Sequence, residues 1–199
     1  MRRVFLAVAA LCIAAAAGAA GSPAPDQVVG GLHAALLDAM QKGKTLDCDK
    51  RIGKLAPVIR STFDLPAIAR LALRKHWAGL SAEQQQSFVH TFEDLVITTY
   101  ASQFNGYSGE TFDAPVAEEL PGGRRAVHSV LNVADGAPVK FDYVLQQANG
   151  GWRVVNVLAD GVSDLALRSA QYDSVMRSGG FDKLVAGLHE QAEKNRAGC

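Results

Sequence analysis

The stretch FDYVLQQANGGWRVVNVLADGVSDLAL, residues 141–167, decides the fold. Phe141, Tyr143 and Leu145 alternate with Asp142, Val144 and Gln146, the two-residue period of a strand with one covered face. Asn149-Gly150-Gly151 suits a hairpin turn, because Asn and Gly tolerate the positive φ that such turns require. The return strand, 152–158, is apolar except at Arg153 and Asn156, so both of its faces can be covered. Ser163 and Asp164 then carry N-cap chemistry for a helix opening at Leu165. This order of elements can wall a cavity or fill an ordinary core. Periodicity does not separate the two.

Working outward, the two-residue period extends back to Gly106. It predicts strands near 111–119 and 124–134, with Pro121-Gly122-Gly123 and Asp135-Gly136 as turns. Four extended runs parted by three turn signals make an antiparallel meander. Before Gly106 the period is helical. Val28, Val29, Leu32, Leu36 and Met40 share one face, and Lys42-Gly43-Lys44 ends that helix. A second helix is predicted over 48–59, with Pro57 expected to kink or shorten it. A third opens at Asp64, with Pro66 in its first turn. Ser81 and Gln84 form a capping box at the start of the longest helix. Its apolar ridge is Phe88, Phe92, Val96, Tyr100 and Phe104, in four-residue steps, flanked by Val89, Leu95 and Ile97. Beyond the sheet, helices are predicted over 164–178 and 180–195, parted by Gly179-Gly180. The fold class is α+β: helices, a curved antiparallel sheet, then helices.

The N-terminus reads as a leader. Arg2 and Arg3 precede an apolar run over 4–17 and a small-residue site at Ala17-Gly18-Ala19, which predicts a cleaved signal peptide over 1–19. Residues 20–27 then form a flexible lead, and 28–195 a single domain. Lys+Arg and Asp+Glu number 20 each, so loss of the two leader arginines leaves a slightly acidic chain. With no basic block, nucleic acid is excluded as a partner. Cys48 and Cys199 remain after the leader. In an oxidising compartment they can form one disulfide, or the tail cysteine can stay free.

Catalytic chemistry is scarce. His33, His76, His90, His128 and His189 show no metal-ligand spacing, so neither metal nor cofactor is expected. Gly161-Val162-Ser163-Asp164-Leu165 lacks the second glycine of a nucleophile elbow, and Ser163 is better read as a cap. Asp142 or His128 would serve as acid or base only if the sheet lined an active site. No catalytic residue is assigned.

Three stretches carry a family resemblance: FDLPAIARLALRKHW at 63–77, LSAEQQQSFVHTFEDLVITTYASQFNGYSGE at 80–110, and PVKFDYVLQQANGGWRVVNVLADGVSDLALRSAQYDSVMRSGGFDKLVAGL at 138–188. The chain resembles the MlaC-type, or toluene-tolerance, family of periplasmic lipid-binding proteins, closest to its hopanoid-biosynthesis-associated HpnM branch. GWRVVNVLADGVSDLALRSAQY is the most specific part. Asn156 departs from the Asp expected in the family, and Arg74 from the usual Gly. The resemblance implies a nuclear-transport-factor-like cone around an apolar pocket that takes the acyl chains of a phospholipid or hopanoid-type lipid. It further implies a monomeric shuttle in the periplasm, docking transiently with an inner-membrane ABC transporter bearing an MCE subunit and with an outer-membrane lipoprotein complex.

On that basis the expected pocket walls are Phe88, Phe92, Leu95, Val96, Tyr100 and Phe104 on the long helix. Val127, Leu131, Phe141, Tyr143, Leu145, Val155 and Val157 face them from the sheet. Tyr172, Val175 and Met176 close one side. Arg168 or Lys140 is expected to meet a head-group phosphate. Two other readings stay open: an isomerase- or dehydratase-like enzyme of the same cone fold, and a ligand-free periplasmic adaptor.

Overall fold

A computed structural model describes residues 22–199; the predicted signal peptide lies outside the described residues. Five α-helices and a six-stranded sheet follow in order: α1 Pro25–Gln41, α2 Cys48–Thr62, α3 Leu65–Leu73, α4 Ala82–Gln103, β1 Thr111–Phe112, β2 Val116–Leu120, β3 Arg124–Asn132, β4 Val139–Ala148, β5 Gly151–Ala159, β6 Val162–Ser163 and α5 Asp164–Ala197. A 3-10 turn, Arg74–Gly79, joins α3 to α4. Helix α1 begins at Pro25, inside the stretch expected to be a flexible lead.

Local chemistry explains the helix starts. The Asp64 carboxylate accepts the Ala67 amide at the head of α3, and the Ser163 hydroxyl accepts the Ala166 amide at the head of α5. At α4 both bonds of the capping box form between Ser81 and Gln84. Pro57 does not end α2, which runs on to Thr62. Its buried face of Leu55, Ala56, Ile59 and Thr62 continues past the proline, and tertiary packing outweighs the local penalty. Gly180, at φ 74 and ψ −172, breaks α5 into two arms where a glycine pair predicted a gap.

The sheet is the predicted meander, with β2, β3, β4 and β5 paired antiparallel in sequence order. The single strand expected over 111–119 is instead two. Pro115 has no N–H to give a ladder, so β1 and β2 pair with opposite ends of β3. The hairpin turn has φ 51 at Asn149 and φ 77 at Gly150, positive at both central residues. A register shift between Val144 and Leu145 bulges the β4–β5 ladder.

Helices α1, α2, α3 and α5 pack on this sheet, and α4 packs on α2, α3 and α5. The far end of α5 is tied down several times. Cys199 bonds Cys48 across 151 residues, with Cα atoms 5.3 Å apart, so the pairing left open by the sequence is made. Arg196 pairs with Asp94, and Asn195 donates to Thr99 at 3.0 Å. Arg51, fully buried, donates to the carbonyls of Gly43, Leu46 and Cys199.

Candidate functional site

Between the sheet and α4 lies a cavity of about 310 Å³. Helix α4 contributes Phe92, Val96, Thr99, Tyr100 and Gln103, with Phe104 at its C-cap. Opposite stand Phe141 and Tyr143 of β4 and Val155, Asn156, Val157 and Ala159 of β5. Leu36 of α1, Phe63, and Leu65 and Ile68 of α3 close the inner end. At the other end the wall is Val162, Asp164, Leu165, Leu167 and Arg168. Val162 and Leu167 are 53% and 60% exposed, which marks this end as the mouth.

Aromatic contacts stiffen the wall. Tyr100 stacks on Phe104 with centroids 5.8 Å apart and tilts against Phe63 at 5.6 Å, while Phe141 stacks on Tyr143 at 6.0 Å. Tyr143 turns its ring to the cavity and its hydroxyl away, to Nε2 of the buried His33 at 3.0 Å. His33 itself stacks on Phe112 at 3.9 Å. Burial raises the Tyr143 phenol above its ordinary range and holds the His33 imidazole down at about 4. The pair therefore stays neutral and keeps a polar tip out of the apolar space.

Several polar groups of the wall are engaged. Asn156 Oδ1 accepts the Ser163 hydroxyl at 3.0 Å and the Leu165 amide at 3.3 Å. Thr99 donates to the Leu95 carbonyl. Arg168 donates to Asp164 at 2.6 Å and lies over the Phe92 ring, 5.6 Å from its centroid. Burial by itself lowers the Arg168 guanidinium, but Tyr172 and Asp164 beside it more than reverse this, so the charge is held firmly. Arg168 thus stands at the mouth, already paired. Lys140 is exposed, pairs across β3 with Val130, and does not line the cavity.

The four-residue ridge does not face the cavity along its whole length. Four residues turn a helix about 40° beyond a full circle, so from Phe88 to Phe104 the ridge swings through roughly 160°. Phe88 is turned into the core, edge-on to Tyr172 at 5.9 Å, while Phe92 to Phe104 reach the cavity. Val127 and Leu145 are fully buried in the core. Leu131 and Met176 also fail to reach the cavity. For β3 the reason is position: it is one strand farther out than β4 and is covered by α1. Leu95, Tyr172 and Val175 line a separate cavity of about 600 Å³ between α4 and α5, which shares Thr99 and Arg168 with the first.

Sequence reasoning missed Leu36, Leu65 and Ile68 as wall residues and His33 as the anchor of Tyr143. All four sit on apolar stripes of α1 and α3 that read equally well as core. Asp142 and His128, the candidate acid and base, bond one another at 2.6 Å on the outer face of the sheet, with Glu118 at 3.1 Å, away from the cavity. Their hydrogen bonds raise the His128 imidazole above its ordinary value. Among the described residues no group of three or more His, Cys, Asp or Glu is placed to hold a metal ion, and no helix is long and apolar enough to cross a membrane.

Known proteins are similar to this chain in sequence and in fold. The family model described as MlaC protein matches residues 31–190. The intermembrane phospholipid transport system binding protein MlaC of Haemophilus influenzae is 26% identical over 127 residues, 61% of this chain and 59% of that protein. The toluene tolerance protein ttg2D of Pseudomonas putida is 26% identical over 122 residues, 60% of this chain and 57% of that protein. The chain thus spans less than two thirds of the length of either curated relative. Among solved structures, a phospholipid-binding protein from Ralstonia solanacearum, in complex with a phospholipid, superimposes with a TM-score of 0.72. That likeness covers 88% of this chain and 99% of the other at 22% identity, and it shows a common fold.

Proposed function

This chain belongs to the MlaC family, and on that premise we propose that it is a phospholipid carrier, a binding protein and not an enzyme. One observation carries the reading: a mainly apolar cavity between sheet and helix, in which the Tyr143 hydroxyl is turned away to His33 and the Arg168–Asp164 pair stands at the mouth. At about 310 Å³ it lies at the lower end of the roughly 300–1,000 Å³ usual for ligand sites. Acyl chains would occupy it and the head group would remain outside, near Arg168. Catalysis needs an acid or base free to meet a substrate, whereas Asp164 is held by Arg168 and His128 and Asp142 lie on the other side of the sheet.

Each buried methylene is worth about 0.8 kcal/mol against water, so release into water is slow and exchange takes place during docking. The predicted signal peptide and the Cys48–Cys199 bond support residence in an oxidising periplasm. An inner-membrane ABC transporter with an MCE subunit and an outer-membrane lipoprotein complex are the proposed docking partners. Assignment to the hopanoid-associated branch, and hopanoid-type lipid as alternative cargo, rest on the sequence resemblance alone.

Native mass spectrometry of the protein recovered from its own cells tests the carrier. A co-purifying phospholipid in whole-number ratio, identified after extraction, is the expected result. A bare protein mass under conditions that keep lipid on a control carrier refutes it.

A further inference from the structure

Five large apolar side chains are conspicuously exposed among the described residues; two of them stand at the cavity mouth and a third lines the adjoining groove. Val162 and Leu167 form the rim of the mouth, and Leu71 stands across a groove of about 470 Å³. Arg70, Leu71 and Arg74 line one side of that groove and Leu165 and Ala166 of α5 the other. Leu165 also lines the cavity, so groove and mouth adjoin.

The charges around this opening are unequal. Arg70, Arg74, Lys75 and Arg168 line the mouth and the adjoining grooves, against Asp164 and Asp173. Both carboxylates are already engaged: Asp164 with Arg168, and Asp173 with Lys75, His76 and Arg177. Arg70 and Arg74 have no ion-pair partner among the described residues, in a chain whose Lys+Arg and Asp+Glu number 20 each. Arg74 also sits at φ 48 and ψ −119, a conformation that glycine adopts freely and arginine does not. A guanidinium kept where the backbone favours glycine points to a use for the side chain.

We propose that the mouth and this groove form a docking face for an anionic lipid bilayer. Arg70 and Arg74 meet lipid phosphates, for which the guanidinium fork is suited, while Leu167, Val162 and Leu71 reach below the phosphate level. A lipid then passes between bilayer and cavity without crossing water. The inference rests on the carrier reading and adds the surface from which the carrier loads. A bilayer fits better than an acidic protein, because the exposed apolar residues stand at or beside an opening through which an amphiphile enters and its phosphate is left beside the arginines.

Flotation with phosphatidylcholine vesicles, with and without phosphatidylglycerol, tests this at low and high salt. Wild type, Arg70→Glu/Arg74→Glu, Leu167→Asp and Arg74→Gly are compared with identical N-termini. The wild type should float with the anionic vesicles at low salt and be released by high salt. The double charge reversal should weaken binding at least about tenfold, and Leu167→Asp should also weaken it. Arg74→Gly should weaken binding while raising the thermal midpoint, a combination that a purely structural arginine would not give. Failure of the wild type to float with anionic vesicles overturns the proposal and leaves the face to a protein partner; variants that bind like wild type overturn it equally. Bound lipid, measured by native mass spectrometry on wild type and the double variant, separates the two hypotheses. Lipid present without flotation sinks the docking face alone, and lipid absent with charge-dependent flotation sinks the carrier alone.

Discussion

Acidification should destabilise this protein through His33. The side chain is 4% exposed, its Nε2 is bonded to Tyr143, and its Nδ1 has no partner. An imidazolium must donate from both nitrogens, and no acceptor faces Nδ1. The imidazole therefore titrates at about 4 in the fold against an ordinary 6.5. Below 6.5 the unfolded chain binds a proton that the folded chain refuses. Stability is then full above pH 6.5 and falls as pH drops towards 4, by about 3 kcal/mol in total. His128 does not contribute to this loss: its value is raised by Asp142 and Glu118, so its contribution is complete below 6.5 and fades only at higher pH. The paired carboxylates Asp38, Asp47 and Asp173, all lowered from 3.8, act only below the window. Urea unfolding of wild type and His33→Gln, at steps from pH 7 to pH 4.5, reads the effect. Glutamine can keep the Tyr143 bond but does not titrate. The wild type should lose stability steeply over this range and the variant should lose much less. Parallel curves would refute the reasoning, because they would show that the unfolded and folded chains protonate His33 alike.

Val96→Trp adds bulk to the cavity wall one turn from Phe92. It should lower bound lipid per folded molecule with little change in unfolding free energy, whereas a packed core would lose about 1–3 kcal/mol; lost stability with unchanged lipid content counts against the carrier. Replacing Cys48 and Cys199 by alanine opens a loop of 151 residues, which chain entropy values at up to about 5 kcal/mol. Urea titration should show a large drop in stability, with α5 still held by Arg196–Asp94 and Asn195–Thr99. A midpoint unchanged on removal of both cysteines would mean that the bond does not constrain the unfolded chain.

The sequence by itself determined most of the elements and their order, though not the division of 111–119 into two strands. The change from a helical to a two-residue period, the caps at Asp64, Ser81 and Ser163, the turn at Asn149-Gly150 and the break at Gly180 all depend on residues within about four positions of one another. Backbone sterics and local hydrogen bonds act over that distance, so they can be read along the chain. The resemblance in residues 138–188 pointed to the same cone. Tertiary structure alone decided which apolar residues bound empty space. Phe88 and Phe92 are one turn apart on the same ridge, yet one is core and the other wall, because the ridge swings around α4 and meets different neighbours. Val127 and Tyr143 are cross-strand partners on one face of the sheet, yet only Tyr143 reaches the cavity. The bonds of His33 to Tyr143 and of Cys48 to Cys199 span 110 and 151 residues. No local pattern encodes them: burial selects a residue for being apolar or satisfied, and whether its neighbour across the interior is a side chain or a void is fixed only when distant segments pack.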